Sequence, residues 1–553
     1  LLPQFLRHFA KSQRKSGRPL WIENMVYSCF MGAQFGDPVN FLKSFKEIKG
    51  VLSRSKVSLD EIIPEDLRAK LFKDTIVFGE RIIERIVFPK ERFDFIKKIS
   101  PYIDIATFGL SDLNIEDKAS WIFRGVNLLK ARALTGLRLE IPSELKKEDW
   151  LKLKKLQLLE SELITLKENN TEMDNKVDEE KILQEKYDLF LKINDWGIGG
   201  CYPKHLKNIL DSYKDKKICA VSFLLSGKKL LTTGVSNYSD TWFVISEFDG
   251  GIDELAKGCW DDIECKGDVA GEHGGIRNLK KTFTILISPI IEHIKESELL
   301  YIIPCEGLHN FPFHALYGLI DQKEQFLIEK YEIAYLPSPL LLWRLSKDDI
   351  PVINEKDKGL AFGCLGDDIG WEERKKELSE LGIVTEDSPS HGFKKLTESK
   401  YTRKVLYLIG HGYLPEKGQS PFNARLSLID TGKPNVEINA RQFAELGPKA
   451  RFVFLNSCWL GYGAGYGRDV YGFPFSIIGS ANSSCLVSAT SVDIEFAHFF
   501  TKMVFKSIFQ DGIDRSTAIT KELRRCIQSP EKPEWKAPYY WAPYFFYGDF
   551  RPL

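Results

Sequence analysis

The chain of 553 residues carries 77 Lys and Arg against 77 Asp and Glu, so no global field draws it to nucleic acid or to an anionic membrane. That length calls for more than one hydrophobic core, because single cores rarely grow beyond about 250 to 300 residues. Apolar runs such as TFTILISPII fall short of the roughly 20 residues a membrane span needs, and ten cysteines without a CxxC pair argue against structural zinc or a disulfide framework.

A soluble chain in a reducing cytoplasm is therefore expected. The opening LLPQFLRHFAKSQRKSG has no apolar core ahead of a small-residue cleavage site, so it does not read as a secretory signal. From there to Lys192, apolar residues recur at steps of three and four, as in VFGERIIERIVF and ASWIFRGVNLLKARALTG, which predicts an all-α region over residues 1–192. Leu156, Leu159, Leu163, Leu166, Asn170, Met173 and Val177 share one helical seam, read as a hairpin packing on its neighbours rather than a dimeric coiled coil. Trp121–Gly136 has the aromatic, small and Leu residues of a tetratricopeptide-like hairpin, yet no period near 34 residues accompanies it. A degenerate repeat array and an irregular bundle both fit.

After DWGIGG the period shortens. KICAVSFLLSGKKLLTTGVS reads as a hairpin turning at Gly227, and TWFVISEF as a further strand. LLYIIPC, GLAFGC, KVLYLIG, RFVFLN and SCLVSAT then read as strands alternating with helices such as WEERKKELSELG and VDIEFAHFFTKMVFKSIF. Residues 193–553 are thus expected to form an α/β region with a mainly parallel sheet, divided into 193–357 and 358–553. Its sites should lie beyond the carboxyl ends of strands.

Two strands finish alike: KVLYLIG runs into His411 within Gly410-His411-Gly412, and RFVFLN runs into Cys458 within Asn456-Ser457-Cys458. On adjacent parallel strands, about 4.8 Å apart, both side chains would emerge at one sheet edge. An imidazole there can accept the thiol proton and free the more nucleophilic thiolate. The N–H groups of Gly412 and Cys458 are placed to form an oxyanion hole. For Cys458 alone, a buried small side chain is the ordinary alternative. His309 and His314 read as packing or turn residues, His391 and His498 as structural, and Cys485 as core filler. The loop Gly461–Gly472 carries five glycines and three tyrosines, the composition of a segment that changes shape, although a rigid turn also fits.

These motifs resemble the CHAT domain, a caspase-like peptidase domain of the group that includes caspases, separases and gingipains. YIIPCEGLHNFPFHALYG, YEIAYLPSPLLL, YLIGHG, VFLNSCWLG, CLVSATSVDIEFAHFFTKMVF and YYWAPYFFYGDF follow one another in the family's order. The resemblance implies a Cys-His dyad at Cys458 and His411, oxyanion donors at Gly412 and Cys458, and no cofactor or metal. It departs from the family where an acidic residue and Thr-Gly usually follow the cysteine: here Trp459 and Leu460 precede Gly461. In this clan the substrate side chain enters beside the dyad, which nominates Asp469, Asp493 and Trp459 as pocket residues. A carboxylate would favour a basic residue and Trp459 with Leu460 an apolar one, while an N-cap role explains Asp493 equally well.

The function implied is a cysteine endopeptidase that cuts a partner protein after activation. CHAT domains joined to helical repeats resemble bacterial antiviral and cell-death proteases, including the CRISPR-associated TPR-CHAT peptidase and the proteases that cleave bacterial gasdermins. The implied partners are a protein substrate and an activating protein or RNA-guided ribonucleoprotein docking on the helical region. A catalytically silent scaffold and a thiol hydrolase of small esters or amides are the competing readings.

Overall fold

The computed structural model describes residues 65–85, 89–130 and most of 203–553. The seam at 156–177, DWGIGG and the expected boundary at 192/193 lie outside the described residues. The chain divides into two compact units: one built mainly from residues up to Lys130, the other holding most of the remainder.

The described part of the first unit is helical, with α1 (Glu65–Arg85), α2 (Pro89–Ser111) and α3 (Lys118–Asn127) in succession. Ile99, Ile103, Ala106 and Leu110 recur at steps of three and four on α2, and all four are buried together with Ile76, Ile122, Phe123 and Val126. Arg124 is also buried, and its Nε and Nη2 donate to Glu80 Oε1 and Oε2 at 3.2 and 2.5 Å. The fork thereby satisfies a carboxylate that burial would otherwise leave unpaired.

The second unit is organised on a sheet. Its strands begin with the hairpin β1 (Ile218–Ser226) and β2 (Lys229–Ser236), whose register closes at Ser226 and Lys229. Gly227 opens that two-residue turn at φ +58°, a value costly for side chains and the sign a type II′ turn needs. β3 (Trp242–Glu247), β4 (Leu299–Ile303), β5 (Tyr317–Ile320), β6 (Lys323–Phe326) and β7 (Glu332–Tyr335) follow. Next come β8 (Gly359–Phe362), β9 (Ile383–Glu386), β10 (Arg403–Ile409), β11 (His411–Tyr413), β12 (Arg425–Leu428) and β13 (Val436–Asn439). The last are β14 (Ala450–Asn456), β15 (Ala464–Tyr466), β16 (Asp469–Tyr471), β17 (Ser484–Ser488) and β18 (Tyr544–Tyr547).

Eleven of these form one sheet in the order β3-β2-β1-β4-β7-β18-β17-β14-β10-β8-β9. The pairs β1–β4 and β4–β7 are parallel, as are β17–β14, β14–β10, β10–β8 and β8–β9. β18 runs antiparallel to β17. The central strands are buried throughout, as expected where helices cover both faces. Helices α4 (Ile252–Glu264), α5 (Trp371–Glu380), α6 (Ile494–Phe509) and α7 (Arg515–Ile527) belong to this unit. The mainly parallel α/β class expected for the carboxyl-terminal region is therefore observed. Among the described residues no helix is long and apolar enough to cross a membrane.

Candidate active site at the ends of β10 and β14

β10 and β14 are neighbours and parallel, and their register pairs Arg403 with Ala450 and Ile409 with Asn456 at one constant offset. His411 and Cys458 share that offset, two residues beyond the last pair. The chain leaves β10 with His411 exposed on the short strand β11, where His411 pairs with Ser427 and Gly412 with Leu426. Cys458 is half-buried. The two segments meet backbone to backbone: a Cβ on Gly412 would lie 1.7 Å from the Cys458 carbonyl oxygen, so the approach admits glycine alone.

Several contacts hold these strand ends in place. Asn456 is buried, and its Nδ2 donates to Tyr407 Oη at 3.0 Å and to Thr501 Oγ1 at 3.2 Å, tying β14 to β10 and to α6. Ser488, the last residue of β17, donates through Oγ to the Ser457 carbonyl at 2.5 Å. The Trp459 amide donates to the Thr490 carbonyl at 3.2 Å, and the Gly461 amide to the Ser488 carbonyl at 2.6 Å. Trp459 itself sits at φ 65°, a left-handed conformation uncommon for a bulky residue, directly after the candidate nucleophile. Backbone held this way persists only where surrounding contacts over-determine it.

The sequence does not announce the floor of the site. Tyr544 of β18 pairs with Ser488, and its ring packs against Phe500 of α6 at 4.9 Å. Burial, with the hydroxyl of Tyr407 and the thiol of Cys458 nearby, pushes its phenol well above the usual range, so it stays neutral. Its hydroxyl, Asn456 Oδ1 and Ser457 Oγ are buried polar atoms without a hydrogen-bond partner.

The glycine-rich segment after Cys458 holds a small hairpin, with Ala464 paired to Tyr471 and Tyr466 to Asp469. Asn310, at the end of a 3₁₀ turn following β4, brackets this segment: its Nδ2 donates to the Gly463 carbonyl at 2.5 Å, and the Gly463 amide donates to its Oδ1 at 2.9 Å. Trp260 of α4 in turn donates through Nε1 to the Asn310 carbonyl at 3.0 Å. A side-chain amide thus completes backbone pairing that a neighbouring strand would otherwise supply. Asn310 lies inside the motif YIIPCEGLHNFPFHALYG, yet nothing local in that stretch signals a partner beyond Cys458.

The remaining candidates divide. Asp493 is the N-cap of α6 and its carboxylate accepts from the Phe496 amide at 2.9 Å. Asp469 lies on β16. Leu460, expected to help form an apolar pocket, is fully buried and belongs to the core. His314 is buried, with Nδ1 2.7 Å from Tyr335 Oη and Nε2 2.9 Å from the Ala542 carbonyl, and burial drives its pKa down to about 4. His309 is buried too, and His498 lies 3.3 Å from Glu377. Burial pushes the thiols of Cys259 and Cys526 up to about 12 and that of Cys485 further still. Such thiols are poor nucleophiles at neutral pH. A cleft of about 1020 Å³ lined by Glu373, Glu377, His498, Lys502, Arg525 and Trp535 includes neither His411 nor Cys458. Among the described residues no group of three or more His, Cys, Asp or Glu is placed to hold a metal ion.

Residues 277–549 match the CHAT domain family. No curated protein sequence matches the chain. Two crystal structures of the Saccharomyces cerevisiae separase–securin complex, at 2.6 and 3.0 Å resolution, are similar to it at 11% identity, with TM-scores of 0.43 and 0.46. The alignments cover 99% of this chain and 47% and 46% of the separase chains, so the chain spans less than half their length. Over residues 277–549, just under half of its length, the chain carries a CHAT domain.

Proposed function

We propose that the protein is a cysteine endopeptidase that cuts a partner protein, with Cys458 as nucleophile and His411 as general base and then general acid. The observation that carries this reading is the shared register of His411 and Cys458 beyond two adjacent parallel strands, with Gly412 packed on the Cys458 backbone. In the proposed reaction His411 takes the thiol proton as sulfur attacks the peptide carbonyl. The N–H groups of Gly412 and Cys458 are the proposed donors to the oxyanion. As the C–N bond breaks, His411 returns the proton to the leaving amine. Water then attacks the thioester, giving the carboxylate product and restoring the thiol.

The helical region, residues 1–192, is proposed to receive an activating protein or an RNA-guided ribonucleoprotein, in bacterial antiviral defence or programmed cell death. The hairpin bracketed by Asn310 is the proposed element that such an activator reshapes. A basic substrate preference would use Asp469 or Asp493, although the cap formed by Asp493 weakens its claim.

The test compares new protein amino termini in cells expressing the wild-type chain, Cys458→Ala or His411→Ala, with and without the candidate activator. Cleavage should appear in the wild type and fall by roughly 10⁴-fold or more in each variant, because the pair acts as a unit. Cleavage that survives Cys458→Ala overturns the assignment. Partner binding without any cleavage supports the scaffold, and turnover confined to small esters supports the simple thiol hydrolase.

A further inference from the structure

Seven large apolar side chains stand exposed among the described residues, and four of them, Tyr413, Leu414, Tyr462 and Ile494, lie just beyond the ends of three adjacent strands. They are 45%, 37%, 41% and 50% exposed. Tyr413 and Leu414 follow β10, Tyr462 follows β14 and Ile494 follows β17. Scattered exposed apolar residues need no explanation, but a concentration at one sheet edge does.

The three loops that carry them are tied together. Gly412, next to Tyr413, rests on the Cys458 backbone; Gly461, next to Tyr462, donates to Ser488; and Trp459 donates to Thr490, four residues before Ile494. The apolar side chains therefore ride on backbone fixed around Cys458 rather than on independent loops. Two other pocket candidates are less well supplied: Leu460 has withdrawn into the core, and the Asp493 carboxylate is engaged in capping α6.

We infer that Tyr413, Leu414, Tyr462 and Ile494 form the substrate-recognition rim, and that its occupant is an extended polypeptide with large apolar residues flanking the bond to be cut. This rests on the reading of Cys458 as the nucleophile, since what covers a rim around the nucleophile is the chain presented to it. An extended strand places alternate side chains on one face, so two or three apolar residues within a few positions of the cut would meet the rim. Withdrawing those side chains from water drives the contact.

The test uses the full chain carrying Cys458→Ala to capture peptides from a randomised display library, so binding is read without turnover. Captured peptides should be enriched in Leu, Ile, Phe, Met or Tyr at two or more nearby positions. The combined variant Tyr413→Ser, Leu414→Ser, Tyr462→Ser and Ile494→Ser should weaken their binding about tenfold or more. The four positions are exposed, and an unchanged thermal melt verifies that the variant folds. In the Cys458-intact background, the same four changes should leave the rate of Cys458 alkylation by iodoacetamide unchanged. Failure to capture any peptide, capture without apolar enrichment, or undiminished binding by the rim variant overturns the inference. The nucleophile assignment stands or falls separately, on whether cleavage requires Cys458.

Discussion

At the beginnings of β14 and β17, the buried guanidinium of Arg515 donates through Nη1 to the Arg451 carbonyl at 3.1 Å and to Ser484 Oγ at 2.9 Å, and through Nε to the Arg551 carbonyl at 2.7 Å. Its Nη2 lies 3.3 Å from Asp549. One residue earlier, Asp514 shares Lys216 with Glu332, the first residue of β7, at 3.1 and 2.6 Å. At the ends of the same two strands the picture reverses: a half-buried thiol, a left-handed Trp459, buried polar atoms without partners and exposed apolar side chains. One end satisfies its polar groups and closes; the other leaves groups poised. A parallel sheet separates these tasks because only the loops leaving the strand ends converge on one crevice.

The largest test of that contrast is Arg515→Met. It leaves the Asp549 carboxylate to Arg551 alone and strips the Arg451 and Arg551 carbonyls and Ser484 Oγ of a buried donor, so unfolding in urea should show a loss of about 3–5 kcal/mol, with the Cys458 alkylation rate unchanged in the folded protein. A change in thiol reactivity would break the division between the two ends.

His314 sharpens the comparison, because it contributes stability through the Ala542 carbonyl, just before β18. An unfolded histidine titrates near 6.5, while burial holds folded His314 near 4. As pH falls the unfolded chain takes up the proton first, so this contribution is complete above pH 6.5 and is lost between about 6.5 and 4, by about 3 kcal/mol. Denaturant titrations across that window should show the unfolding free energy falling with acid in the wild type, and falling less in His314→Gln.

Gly412→Ala should strike the site harder than the stability, the reverse of Arg515→Met. The added methyl meets the Cys458 carbonyl oxygen and must push the two strand ends apart, at about 1–3 kcal/mol by denaturation. Turnover should fall about a hundredfold, since a displacement near 1 Å at reacting groups is enough for that. Normal turnover would show that the close approach is dispensable.

The smallest expected effect belongs to Asn310→Ala. Removing the bracket frees the Gly463 carbonyl and amide, so amide exchange across 461–472 should accelerate by about 1–2 kcal/mol of local opening, with little change in global stability. Unchanged exchange would mean that the hairpin holds its own shape.

Local pattern made much of this fold legible. The β1–β2 hairpin was readable because alternation and a turn glycine act within a few residues, and α6 because its apolar spacing and Asp493 cap are contiguous. The glycine-rich loop was readable only as composition; pairing into β15 and β16 needed two segments to find one another. The short sheet of β11, β12 and β13 and the antiparallel closure by β18 were not visible, since three- and four-residue strands carry too little period to read.

The sequence by itself determined the longer strands and helices of the carboxyl-terminal unit, and it marked His411 and Cys458 just beyond the ends of two of those strands. Those properties follow from backbone preferences and apolar period, which are written in neighbouring residues. Tertiary structure decided that β10 and β14 are adjacent at an offset His411 and Cys458 share, that Gly412 rests on Cys458, that Asn310 reaches Gly463 across 153 residues, and that Arg515 closes the far end. Each depends on which distant polar group satisfies which other once the core has closed, and a single hydrogen bond between remote residues leaves no period in the chain.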